Sequence, residues 1–147
     1  KEAETELKRM SKVFMDAADP IIIEDTHGYV IEMNDEAVRV YGYSRDDLLG
    51  KPIRTIVPDD RHDQANELLE RCSSGEEVRN IEGLRKAKDG QIFPVLLTLS
   101  LLRDDAGQSL AIASIAKDIS DQKRAEEALK KQQDLLEQRV KERTQEL

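Results

Sequence analysis

One stretch constrains this chain more than any other: Gln91–Arg103, "QIFPVLLTLSLLR". Phe93, Val95, Leu97, Leu99 and Leu101 fall on one side of its alternation, and Pro94, Leu96, Thr98 and Ser100 on the other. That period of two is the mark of a β-strand. Lys88-Asp89-Gly90 before it is a strong hairpin turn, and Asp104–Gln108, "DDAGQ", turns the chain again. Ser109–Ile119, "SLAIASIAKDI", reads as a last strand lined by small residues. Glu76–Ala87, "EEVRNIEGLRKA", should be the strand before the hairpin, although its alternation is poor and Gly83 interrupts it. Tight turns of this kind join antiparallel neighbours.

Upstream, "PIIIED", "THG" and "YVIEM" read as strand, turn and strand, with Gly28 at the flexible turn position. "NDEAVRVYG" follows, where Asn34 is placed to cap a short helix ending near Gly42. Ser44 repeats the device for "SRDDLLG", with Asp46 and Asp47 favouring the helix N-terminus. Prolines bound "KPIRTIVP", which holds about one helical turn. "DDRHDQANELLERCSSG" is a longer helix, acidic at its start and closed by Ser-Ser-Gly.

Both ends read as helices. In residues 1–18 the positions Ala3, Leu7, Met10, Phe14 and Ala17 make one apolar stripe, and Pro20 enforces a stop. From Ser120 to Leu147 everything reads helix, with Ser120 as its expected cap. Leu129, Gln133, Leu136, Val140, Arg143 and Leu147 step by four and three, a heptad seam with polar breaks at Gln133 and Arg143. Glu126–Lys130, Glu127–Lys131 and Glu137–Lys141 are i,i+4 pairs in the favoured order. So thin a stripe wants a partner helix, and the rest of the charge run is a solvated face. Charged residues make up 37% of the 147, and the excess over an ordinary domain sits mostly in the two ends.

Several functions are set aside on composition. With net charge −8, the chain lacks the basic footprint of a nucleic-acid binder. No apolar run approaches the roughly 18 residues of a membrane span, and no signal peptide is recognisable. A single cysteine, Cys72, reads as a small apolar residue late in a helix, and a cytoplasmic setting is expected. The chain opens without Met and stops within a helical pattern, so a piece of a longer protein is expected. No phosphate loop, metal-ligand spacing or nucleophile motif is present. His27 and His62, the only histidines, lack a phosphoacceptor-like context, so a kinase would have to lie elsewhere in the parent protein.

The element order resembles that of a PAS domain over roughly residues 15–122. The resemblance is carried by "DPIIIEDTHGYVIEMNDEAVRVYGYSRDDLLGKPI", "RKAKDGQIFPVLLTLSLL" and "IASIAKDISDQKRAEEAL". Asp118-Ile119-Ser120 resembles the family's terminal Asp-Ile-Thr, and "LEQRVKERTQEL" is similar to the linker helix that often leads to a histidine kinase core. The resemblance implies an α+β fold: a five-stranded antiparallel sheet, helices over one face and a central cavity. It divides the chain into an N-terminal amphipathic helix (1–18), a PAS domain (19–119) and a C-terminal signalling coiled-coil helix (120–147).

It also implies a sensing or relay module, a homodimer feeding a downstream effector, with a histidine kinase as the parent. Signal would pass through Asp118, Ile119 and Ser120, and dimer contacts would come from Leu7, Met10, Phe14, Leu129, Leu136 and Val140. The cavity wall would be Ile22, Ile31, Val38, Leu68, Phe93, Leu97, Leu99 and Ile115, with Tyr41, Tyr43, Asn66, Ser114 and Arg61 as its polar candidates. Such a set is more often a plain core than a pocket. No cofactor is expected, and the ligand is open. Flavin-binding relatives carry an Asn-Cys-Arg-Phe run where this chain reads "KPIRTIVP". His62 falls on the helix from which haem-binding relatives ligate iron, in its exposed first turn, but the spacing after Pro58 is shorter. The rival readings are a ligand-free constitutive dimerisation spacer and a haem-based gas or redox sensor on His62.

Overall fold

The alternating strands assemble into one five-stranded antiparallel sheet of order β2-β1-β5-β4-β3 in a computed structural model that describes residues 2–146. Lys1 and Leu147, the outer ends of the two expected terminal helices, lie outside the described residues. The strands are β1 (Ile21–Glu24), β2 (Val30–Met33), β3 (Val78–Lys86), β4 (Ile92–Arg103) and β5 (Ser109–Asp118). First and last strands are adjacent, with Ile22 opposite Ser114. The chain crosses from edge strand β2 to edge strand β3 through α2 (Asp35–Tyr41), α3 (Arg45–Leu48), 3-10 turns at Ile53–Ile56 and Asp59–Arg61, and α4 (His62–Ser73). The core lies between these helices and the sheet. Phe93, Val95, Leu97 and Leu99 from β4 meet Ala37, Tyr41, Leu48, Ile56, Leu68 and Cys72 there. Burial of each large apolar side chain contributes about 1.5–3 kcal/mol.

The crossover depends on local chemistry that the sequence announces. Asn34 Oδ1 accepts from Ala37 N at 3.0 Å, capping α2, and Gly42 closes that helix at φ +77°. Ser44 accepts from Asp47 N at the start of α3. Asn34 does more than the expected cap. Fully buried, it also accepts from Ile21 N at 2.9 Å and donates through Nδ2 to Asp19 O at 3.0 Å, so it fixes the entry to β1.

Two irregularities explain why β3 is hard to read. Its register with β4 shifts between Val78 and Ile81, where Asn80 takes φ +54°. This bulge resets the alternation. Gly83 is buried because Leu97 lies over it: a Cβ there would stand 2.9 Å from Leu97 Cδ1.

Outside the core are α1 (Glu2–Asp16) and α5 (Ser120–Glu146). The end of α1 is fastened to the domain, where Arg45 Nη2 reaches Met15 Sδ at 3.3 Å while also bonding Met33 O and Asp35. Over its 27 residues α5 buries no side chain, and at 1.5 Å per residue it extends about 40 Å. The expected Glu126–Lys130, Glu127–Lys131 and Glu137–Lys141 pairs do not close to ion-pair distance. The pairs formed within α5 by described residues are Asp121–Arg124 and Lys123–Glu126. Exposed pairs gain too little to hold two long side chains in one geometry.

Asn34→Ala removes the cap and strands Ile21 N and Asp19 O, so it should destabilise the fold by about 2–4 kcal/mol in chemical denaturation. Asn34→Ser, which keeps an acceptor for the α2 cap, should lose roughly half of that.

Candidate functional site

Two places combine polar groups with burial or with control of an exposed element: the interior of the sheet and the exit of β5. In the interior, Ile22, Tyr41, Phe93, Leu97, Ser114, Leu68 and Leu99 of the expected wall are buried. Tyr41 and Phe93 place their rings 6.0 Å apart, inclined at 31°. Val38 and Tyr43 pack half-buried against the core, and Lys88 Nζ stands 5.8 Å over the Tyr43 ring. Ile31 and Ile115 do not belong to the wall. Ile31 is 49% exposed, because Val30 and Met33 take the inward positions of β2. Ile115, between inward Ser114 and Ala116 on β5, faces out. Asn66 and Arg61 are exposed on α4 and on the 3-10 turn before it.

Sequence reasoning missed two interior residues that carry charge. Glu24 and Arg85 are 3% and 6% exposed. The signal was available: Glu24 shares the inward parity of Ile22, and Arg85 is the cross-strand partner of Phe93. Glu24 Oε2 has no hydrogen-bond partner among the described residues. Burial pushes the Glu24 carboxyl from its ordinary 4.5 up to about 7, against the opposing field of Arg85. Arg85 Nη1 donates to Leu84 O at 2.9 Å, and its guanidinium lies beside the Tyr41 hydroxyl. Burial lowers the Arg85 pKa and pushes the Tyr41 hydroxyl up to about 12. Burial also raises the Cys72 thiol, with a smaller contribution from Glu24.

His62 opens α4 and is half-buried rather than exposed. Its Nε2 sits 3.0 Å from Val57 O, a bond that a metal on that nitrogen would have to displace.

The exit of β5 is tied on three sides. Strand pairing with β4 ends at Asp118 opposite Val95. The next amide, Ile119 N, donates to Pro94 O at 3.0 Å, and the Ile119 side chain is buried. Asp118 Oδ1 accepts from Ser120 N at 2.9 Å and from Ser120 Oγ at 2.5 Å. Ser120 is therefore not the cap expected of it. It is the first residue of α5 and donates to Asp118, whose carboxylate serves the helix N-terminus. One turn on, Lys123 Nζ grips both carboxylate oxygens of Glu82 on β3, at 3.0 and 3.1 Å. The hydrogen bond to Glu82 raises the Lys123 pKa. Glu82 O in turn accepts from Gln64 of α4 at 3.1 Å. Glu82 thus touches both the helix that covers the interior and the helix that leaves the domain.

The Glu24 pKa carries a stability prediction. The folded state holds this proton more tightly than the unfolded chain, so the stabilisation is full below about pH 4.5 and is lost as pH rises toward 7. At about 1.36 kcal/mol per pKa unit, the loss is about 3 kcal/mol. Glu24→Gln removes the titration. Relative to wild type it should gain about that much stability between pH 4 and pH 8, measured by urea denaturation at both values.

Comparison with known proteins agrees with this geometry. A family model described as PAS domain matches residues 18–121. An uncharacterized protein of Azorhizobium caulinodans is 31% identical over 122 residues, covering 77% of this chain and 16% of its own length. The sensor histidine kinase TmoS of Ectopseudomonas mendocina is 29% identical over 130 residues, covering 87% of this chain and 13% of its own length. The chain therefore spans less than a fifth of these relatives. Among solved structures, the PAS domain of a protein from Colwellia psychrerythraea superposes with TM-score 0.71 at 22% identity, over 78% of this chain and 98% of that one. At that identity the likeness speaks for the fold, which is the five-stranded sheet with helices on one face described above. With most of its length matched by the family model, the chain belongs to the PAS domain family.

Proposed function

We propose that this PAS domain is the sensing and relay module of a signal-transduction protein, with a sensor histidine kinase as the parent. The module itself is non-catalytic. It works as a homodimer and passes a change in or around the sheet through Asp118, Ile119 and Ser120 into α5, and so to an effector domain further along the parent chain. The observation that carries this reading is the loop-free junction. The last strand pairs up to Asp118, Ile119 is buried and bonded to Pro94, and α5 starts at Ser120. A displacement of β5 or β3 reaches α5 with no slack between.

Further support comes from what the terminal helices leave uncovered. Leu129, Leu136 and Val140 are 62%, 57% and 64% exposed on α5, and Leu7 and Met10 are equally bare on α1. Phe14, half-buried, marks where the α1 stripe meets the domain. Apolar stripes at heptad spacing are covered when two such helices pair. Gln133 and Arg143 weaken the seam, which favours two packings of similar energy. The similarity to TmoS supports the kinase parent. No described helix is long and apolar enough to cross a membrane. The acidic charge disfavours nucleic acid, and the reading takes the module as a cytoplasmic one. It also dispenses with haem, since the His62 Nε2 is already held at the Val57 carbonyl. A Soret band in protein purified from a haem-replete host would refute that part.

Leu136→Lys should lower dimer affinity by at least tenfold in analytical ultracentrifugation, while the far-UV spectrum of the PAS core stays unchanged. An undiminished dimer would refute the coiled-coil part. Glu82→Gln should loosen the first turn of α5. The bridge is exposed and weak, so amide exchange at residues 121–124 should rise only roughly two- to fivefold. A constitutive spacer would leave the dimer spectrum identical with and without that bridge.

A further inference from the structure

The relay needs an input, and among the described residues the interior holds a carboxyl group with no bonded partner for one of its oxygens. Glu24 stands on β1, 97% buried with Oε2 unbonded, in the same inward layer as the buried Arg85 of β3. An unpartnered carboxylate oxygen in a low-dielectric interior is stable only while the group is protonated or a cation comes to it. Arg85 is the cation at hand, now committed to Leu84 O and lying beside Tyr41.

We propose that Glu24 is a proton-binding site through which the domain reads pH, its ionisation drawing the buried Arg85 toward it and shifting β3 beneath the Glu82–Lys123 clamp on α5. The proposal rests on the relay reading above and names its signal. Arg85 lies three positions along β3 from Glu82, which holds Lys123. The groups acting on Glu24 are few. Arg85 from β3 favours the anion. The neighbouring Asp25 disfavours it. The Cys72 thiol from α4 senses Glu24 and stays neutral. From α2, Tyr41 acts on Arg85, and Asp118 acts on Tyr41. Opposite Glu24 on β5 stands Ile112, which carries no charge. With its carboxyl raised from 4.5 to about 7, Glu24 binds a proton about 300-fold more tightly than an ordinary glutamate. Its occupancy then falls from about nine-tenths to about one-tenth between pH 6 and pH 8.

The test is a pH titration of the chain labelled with carbon-13 and nitrogen-15, following the Glu24 carboxyl carbon and the amides of Ile119 and Lys123. The expected result is a Glu24 midpoint near 7, with the two α5 amides shifting at the same midpoint in wild type and flat between pH 6 and 8 in Glu24→Gln. In Arg85→Met the Glu24 midpoint should rise further, because the opposing cation is gone, and the α5 amides should stop responding. A Glu24 midpoint near the ordinary 4.5 overturns the proposal without any variant. So do α5 shifts that persist in Glu24→Gln, or α5 amides that ignore pH while Glu24 titrates. Glu82→Gln read at fixed pH tests the relay separately: a helix indifferent to that clamp defeats the relay whatever Glu24 does.

Discussion

The antiparallel pairing of β1 with β5 is the contact from which the rest of the molecule follows. It joins strands far apart in sequence, so the chain must cross the sheet between β2 and β3, and the crossover helices become the lid of the core. The same pairing sets inward parity for Ile22 and Glu24 against Ser114 and Ile112. It also makes β5 a central strand, held by β1 over Ile112–Ile115 and by β4 as far as its last residue, Asp118. Non-local pairing of this kind is slow to form and hard to remove piecemeal. A strand held on both edges is a firm base for a helix that projects alone.

Much of this was legible because the relevant rules are local. The turns at Gly28, Gly90 and Gly107, the Asn34 and Ser44 caps and the β4 alternation each depend on neighbours within a few residues. What escaped depends on contacts across the sheet. Gly83 reads as a flaw in β3 until Leu97 is seen lying over it. The Asn80 bulge has no sequence mark that separates it from a turn. Ser120 looks like any helix cap, but its role follows from the Asp118 carboxylate two residues back. Glu24 and Arg85 were passed over because charged residues are rarely buried, although simple alternation along β1 placed Glu24 inside. The exposure of Ile31 is the reverse error, a bulky apolar residue on the outer face of an edge strand.

The interior is therefore not a purely apolar core. Apolar side chains fill most of it, and a small polar group of Glu24, Arg85, Tyr41 and Ser114 interrupts them. Buried charge of this kind is a poor source of stability. Its retention makes more sense as responsiveness, since a group near its titration point changes state for little energy. The exit of β5 has the complementary character. Its bonds are individually weak and partly exposed, yet several act on one short segment.

The rigid start of α5 has a geometric corollary for any longer protein that contains it. Each residue of an α-helix turns the chain by about 100°, so the number of residues after Ser120 fixes the azimuth at which whatever follows is presented. Adding or removing seven residues nearly restores that angle, whereas four leaves it roughly 40° off. The exit rod is thus a phase-keeping element, whose residue count sets an angle that its residue identities do not.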